Sequence, residues 1–289
     1  MNQICNEDYE QRKRTILKNF RLMDDMFMTK CFETDPACAQ LVLRIVLRIP
    51  DLAVQQVRTQ QMVEGLTGRS VRLDILATDS MGRKYNIEVQ RSNDGADPRR
   101  ARFHCCMIDS DLLDKGAKFQ ELPDLWVIFI TERDVFGEDL PLYTVERSFM
   151  ETRKPFQDGL HILYVNGARQ DETALGRLMH DFFCRNPDDM YYKELAHRAR
   201  YFKETEKGVA IMCQALEELY RDGVAEGISI GERRGERRGE RRGERRGERR
   251  SERRMVQKML REGVTIEMIQ KFTDLPIDEI RRLKETLPQ

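Results

Sequence analysis

Apolar positions change their spacing several times along the 289-residue chain, and each change marks an element boundary. From Asp8 to Glu33, and again from Asp35 to Ile49, they recur every three or four residues, the period of an amphipathic helix. These stretches predict two helices, the first broken near Met23 and the second begun by Asp35, a carboxylate suited to the free N–H groups of a first turn. Pro50 closes this section, since proline disfavours helix at the residue before it. Between Ala53 and Arg91 the period drops to two. Three successive strands are predicted in VQQVRTQQMVEGL, SVRLDILAT and RKYNIEVQRS, with turn signals at Thr67-Gly68 and Ser80-Met81-Gly82.

A helical pattern follows from about Pro98 to Phe119. The run DLWVIFITE is apolar without alternation and fits a strand covered on both faces. PLYTVER and GLHILYVNG add two weaker strands, and helices are expected from Thr173 to Cys184 and from Met190 to roughly Tyr220. The order predicts an α/β core, a mixed sheet flanked by helices, with a helical C-terminal extension.

Charge changes the picture near the C-terminus. The chain carries no formal net charge, but Gly231 to Arg254 (GERRGERRGERRGERRGERRSERR) holds 12 Arg and 6 Glu, so this tract is +6 and the rest is mildly acidic. A four-residue repeat advances about 40° per unit on a helix of 3.6 residues per turn, so no face is kept over six units. With glycine costing up to about 1 kcal/mol in a helix interior, the tract reads as a solvated spacer, at best marginally helical, or as a cationic arm for phosphates. Beyond it, MVQKMLREGVTIEMIQKFTDLPIDEIRRLKE predicts two or three short helices with Gly263 and Pro276 as punctuation and Thr265 and Asp278 near helix starts. They form a helix-turn-helix-like segment or a hairpin for packing and self-association. The expected organisation is a core domain over 1–206, a helical connector over 207–230, the repeat over 231–254 and the small helical segment over 255–289.

Seven scattered cysteines without CxxC spacing read as reduced thiols. The absence of a signal-like N-terminus or a long apolar run leads us to expect a cytoplasmic protein without membrane contact. P-loop and zinc-protease motifs do not occur. His104 and His180 sit in amphipathic stretches and read as packing residues, and Cys105-Cys106 as helix filling.

The hairpin of SVRLDILATDS and RKYNIEVQRS carries the chemistry. A three-residue loop with Gly82 left-handed places opposite each other residues whose numbers add to 162, which pairs Asp74 with Glu88. Gln90 shares their face. Ser70, Arg72, Asp74 and Thr78 alternate with Val71, Leu73, Ile75 and Ala77, while Lys84, Asn86, Glu88, Gln90 and Ser92 alternate with Tyr85, Ile87 and Val89. Directly opposed carboxylates repel unless a cation or proton lies between them. The plainer alternative is an ordinary hairpin with a wet polar face.

D-x13-E-x-Q across a hairpin resembles the PD-(D/E)XK nuclease motif in its E-x-Q variant. The chain further resembles the PD-(D/E)XK nuclease family transposases, also called recombination-promoting nucleases, over roughly Leu22 to Lys203. The resemblance lies in DDMFMTKCFE, RLDILATDSMGRKYNIEVQ, RARFHCCMIDSDLLDKGAKFQELPDLWVIFITERDVFG and RLMHDFFCRNPDDMYYKELAHRARYFKETEKG. It implies a restriction-endonuclease-like core and Asp74 and Glu88 as ligands of one or two divalent ions. Superfamily nucleases usually carry Lys in place of Gln90. Family members also tend to have Lys and a Tyr pair where this chain has Met28 and Phe103-His104.

The expectation is a DNA endonuclease acting in recombination or mobile-element biology, with Asp74, Glu88 and Gln90 catalytic and Mg²⁺ or Mn²⁺ as cofactor. Arg100 and Arg102 are the expected phosphate contacts, with Asp24 accessory. The competing expectation is a catalytically weak DNA-binding or self-associating protein that uses the arginine tract and the C-terminal helices. A nuclease acting on structured RNA is a third.

Overall fold

The computed structural model describes residues 2–33, 35–65, 68–91, 93–273 and 275–286. Thr67 of the expected turn and Ser92 of the expected polar face lie outside them. The chain divides into one compact unit up to Leu216 and a second from Glu217 onward.

In the first unit, α1 (Asn2–Asn19), α2 (Asp25–Phe32) and α3 (Pro36–Leu47) precede three antiparallel strands, β1 (Val54–Val63), β2 (Val71–Asp79) and β3 (Lys84–Gln90). The break expected near Met23 falls between α1 and α2, and Asp35 caps α3 by accepting from the Ala37 N–H at 2.9 Å. Helix α4 (Pro98–Leu112) leads to β4 (Leu125–Thr131), followed by β5 (Leu142–Val145), β6 (Leu160–Asn166), α5 (Ala174–Phe183) and α6 (Lys193–Glu204). The sheet order is β1-β2-β3-β4-β6-β5, with β3, β4 and β6 parallel. All six expected strands are present, and the buried Val127, Ile128, Phe129 and Ile130 explain why β4 reads as one apolar run.

Two cores cover the sheet. Phe27, Phe32, Leu43, Phe182, Leu195 and Phe202 pack with Ile75, Ile87, Ile128 and Val165, while Ala101, Cys105 and Ile108 of α4 pack with Leu76, Val127 and Phe129. Asn86 and Glu88 alternate with Ile87 and share the register of Val127 and Phe129, which places them beneath α4. Their face is therefore buried rather than wet.

Three expectations need correction. The strict alternation of β2 fails at Asp74: Val71 and Leu73 join the α4-side core, whereas Ile75 and Ala77 join the other. The turnover has a partner in β1, where Gln60, between the pairs Thr59–Ile75 and Gln61–Leu73, has φ 54°. The helix expected to reach Phe119 ends at Leu112, before Gly116 takes φ +91°. The helix expected from Met190 to Tyr220 is interrupted at the extended Thr205, whose hydroxyl accepts from the Gly208 N–H at 3.0 Å and caps a new helix.

That new helix, α7 (Glu206–Arg261), runs without interruption for 56 residues through the repeat tract. The tract expected as a spacer or at best a marginal helix is therefore helical throughout, and a Cβ at any glycine from Gly231 to Gly247 would meet nothing within 4 Å. In the second unit, α8 (Ile266–Phe272) and α9 (Ile277–Glu285) close a small core of Val256, Ile269, Leu275 and Ile280. Gly263 with φ +82° makes the turn into α8, and Pro276 stands just before α9. No helix among the described residues is long and apolar enough to cross a membrane.

Candidate functional site

The loop between β2 and β3 sets the site's geometry. Gly82 is left-handed at φ +81°, and the pairs Ile75–Ile87, Leu76–Asn86, Ala77–Tyr85 and Thr78–Lys84 keep the expected register. Asp79 fixes this turn in a way the sequence reading missed. Its buried carboxylate accepts from the Met81 and Arg83 N–H groups at 2.9 Å each, from Arg83 Nε at 2.6 Å and from the Tyr85 hydroxyl at 2.9 Å. Desolvation pushes its pKa up, but these hydrogen bonds outweigh it and hold the carboxyl below its ordinary value. An Asp opening a Ser-Met-Gly loop is an Asx-turn signal, and that was the clue available.

One step beyond Ile75–Ile87 the regular ladder gives way to side chains. Glu88 Oε1 accepts from the Asp74 N–H at 3.2 Å, and Asp74 Oδ2 accepts from the Val89 N–H at 3.0 Å. Each carboxylate thus takes an amide of the opposite strand, and both are buried, Asp74 at 8 % exposure and Glu88 at 0 %. Burial first, then the charge of Glu88, pushes the Asp74 carboxyl up to about 7; Asp25 adds to this, while the Val89 N–H and Arg72 oppose it.

Helix α4 supplies the other wall. His104 Nδ1 lies 3.5 Å from Glu88 Oε1, and Arg100 Nε donates to His104 Nε2 at 3.3 Å. His104 Nδ1 also faces the side-chain amide of Asn86, whose Nδ2 lies 3.4 Å away. Arg100 Nη2 stands 3.9 Å from Glu88 Oε2, beyond hydrogen-bond length, so that buried oxygen has no hydrogen-bond partner.

A cavity of about 480 Å³ opens onto Asp74, Gln90, Arg100 and His104, with Arg69, Arg72 and Arg91 around it. Gln90 is half-buried against Gly95, where a Cβ would come within 2.0 Å of its Oε1. The structure therefore brings Asp74, Gln90 and Arg100 to the cavity, while Glu88, bonded to the Asp74 N–H and 3.9 Å from Arg100, is fully buried and does not line it. Arg102, two residues along the helix from Arg100, is exposed and does not line the cavity. Asp24 is held at 3.0 Å by Arg91 and accepts from the Arg21 N–H at 2.8 Å; its neighbour Asp25 lines the cavity instead. His104, read from sequence as a packing residue, faces Glu88; only its four-residue spacing from Arg100 hinted at this.

No group of three or more His, Cys, Asp or Glu side chains is placed to hold a metal among the described residues. Two neighbouring carboxylates nevertheless suit a hard divalent ion that keeps several waters and takes further oxygens from a substrate. Glu88 Oε2, which has no hydrogen-bond partner, and the Asp74 carboxyl, whose pKa burial and Glu88 push up, are the two groups such an ion would satisfy.

The segment that builds the mixed sheet, the neighbouring carboxylates at the end of the hairpin and the helix over them is similar to a PD-(D/E)XK domain. Residues 48–174 match the family model described as PD-(D/E)XK nuclease family transposase, which bears out the resemblance over the segment holding the site. Neither a curated protein nor a solved structure matches the chain.

Proposed function

We propose that this protein is a metal-dependent DNA endonuclease, hydrolysing phosphodiester bonds at the cavity beside Asp74 and Glu88. The observation that carries the reading is the cross-bonded, buried carboxylate pair with one oxygen left unpartnered. Asp74 and Glu88 would hold Mg²⁺ or Mn²⁺, which supplies an acidified water and charge stabilisation at the scissile phosphate. Arg100 sits where a guanidinium can hold a phosphate oxygen, and His104 holds Arg100 by accepting from its Nε. Arg69, Arg72 and Arg91 line the approach with positive charge. Gln90 can donate to a phosphate oxygen or orient water, but it brings no charge, so stabilisation of the transition state falls to the metal and the arginines. DNA as substrate follows from the nuclease family matched by residues 48–174.

Purified protein should nick plasmid DNA with Mg²⁺ or Mn²⁺ and lose this activity in EDTA. Retention of full activity by Asp74→Ala sinks the reading. Gln90 in place of a charged residue favours a second reading, in which the chain binds DNA and cuts weakly; wild-type turnover no greater than that of Asp74→Ala, with binding intact, would select it.

A further inference from the structure

The repeat tract contains a feature that its net charge does not describe. Within α7, Arg234, Arg237, Arg238, Arg241, Arg242 and Arg245 line one groove of about 530 Å³, and no carboxylate lines it with them. Their spacing is that of a single helix face. At about 100° per residue they fill an arc of about 140°, while Glu236, Glu240, Glu244 and the interleaved glycines fall outside it. The 40° drift that destroys a face over six repeats leaves one intact over three. None of the six arginines makes an ion pair or hydrogen bond among the described residues, and every residue from Asp222 to Arg250 is exposed.

We infer that this arginine face is a docking surface for the phosphate backbone of duplex DNA, separate from the cavity at Asp74. Charge complementarity argues for it: from Arg234 to Arg245 the helix rises roughly 17 Å, a length over which one DNA strand presents about five phosphates. Guanidinium forks match phosphate oxygens in shape as well as charge. Such contacts are independent of sequence and position the duplex without reading it. The choice of DNA over other polyanions rests on the nuclease reading of the first unit; the cationic face itself does not.

The test is binding of a fluorescent, random-sequence DNA duplex of about 30 base pairs to the full chain in EDTA, across a range of salt. Each neutralised phosphate contributes about −0.9 to the slope of log K against log salt, so about five contacted phosphates give a slope of about −4.5. Replacing all six arginines by Gln should remove most of that slope and weaken binding at least about tenfold near 0.1 M salt. A charge-isomeric variant, Glu236→Arg, Arg237→Glu, Glu240→Arg, Arg241→Glu, Glu244→Arg and Arg245→Glu, keeps net charge but puts carboxylates into the face. It should lose roughly three units of slope. An isomer that binds as the wild type overturns the proposal, as does a Gln variant with unchanged slope. Tighter binding of an RNA duplex of equal length overturns the assignment to DNA. Because metal is chelated throughout, a wild type that binds with the expected slope but never cleaves in Mg²⁺ sinks only the nuclease reading.

Discussion

The main-chain N–H of Asp74 donates to the Glu88 carboxylate at 3.2 Å, while the Asp74 carboxylate accepts the amide beyond Glu88, that of Val89, at 3.0 Å. Two side chains thereby replace the hydrogen bonds that the strands would otherwise exchange. The cost is two neighbouring buried carboxylates, and this electrostatic tension yields the first prediction.

A carboxyl with a raised pKa binds its proton more tightly folded than unfolded. The metal-free protein should therefore lose stability as pH rises from near the unfolded Asp value of about 3.9 through about 7, and change little from this group above that. The loss is roughly 2–4 kcal/mol at full extent, as the size of the shift implies. Asp74→Asn should flatten this dependence and be the more stable chain at pH 8 in EDTA. Urea unfolding at pH 5 and pH 8 measures both; a wild type equally stable at the two would rule out proton retention by Asp74. Mg²⁺ at pH 8 should raise the wild-type Tm and leave that of Asp74→Asn unmoved.

Asp79 works in the opposite direction. Its lowered pKa adds stability above the unfolded value, and that contribution disappears as pH falls through the folded value. Asp79→Ala strips four hydrogen bonds from the loop and should cost roughly 2–4 kcal/mol in denaturant unfolding at pH 7. Cleavage should fall with it even where the chain stays folded, since this turn fixes the register that brings Asp74 to Glu88. Unimpaired cleavage by a folded Asp79→Ala chain would show that the register has other anchors.

Gly95→Ala pushes a methyl group into the Gln90 amide. The amide is the mobile end of its side chain, so the stability cost should stay below about 1.5 kcal/mol while cleavage drops. Combined with Gln90→Ala, the glycine change should add almost nothing further to the activity loss. Additive losses in that double-mutant cycle would mean that Gly95 acts on the site by another route.

Gly239 and Gly243 lie in α7 with open space where a Cβ would be. Alanine at each should stabilise the helix by up to about 1 kcal/mol, visible as greater helicity of the full chain on heating. A fall in helicity would mean that these glycines do more than thin the helix.

The strands and the hairpin register were legible because an alternating pattern and one left-handed glycine determine them locally. The turnover at Asp74 was not, since it depends on Gln60 in a strand that pairs across the sheet. His104 escaped for a related reason: its meeting with Glu88 is made by packing α4 on the sheet, and a histidine on an apolar helix face looks the same whether or not a carboxylate lies opposite. Asp25 and Asp24 could not be told apart, because the turn into α2 decides which carboxylate points to the cavity. The helix through the tract is not legible from glycine alone, because the Glu and Arg that surround each glycine are good helix formers.

That helix is also a screw. Each four-residue unit lengthens it by about 6 Å and turns all that follows by about 40°. Gaining or losing one copy would therefore shift the downstream segment in small, regular steps of pitch and azimuth while leaving the helical backbone continuous.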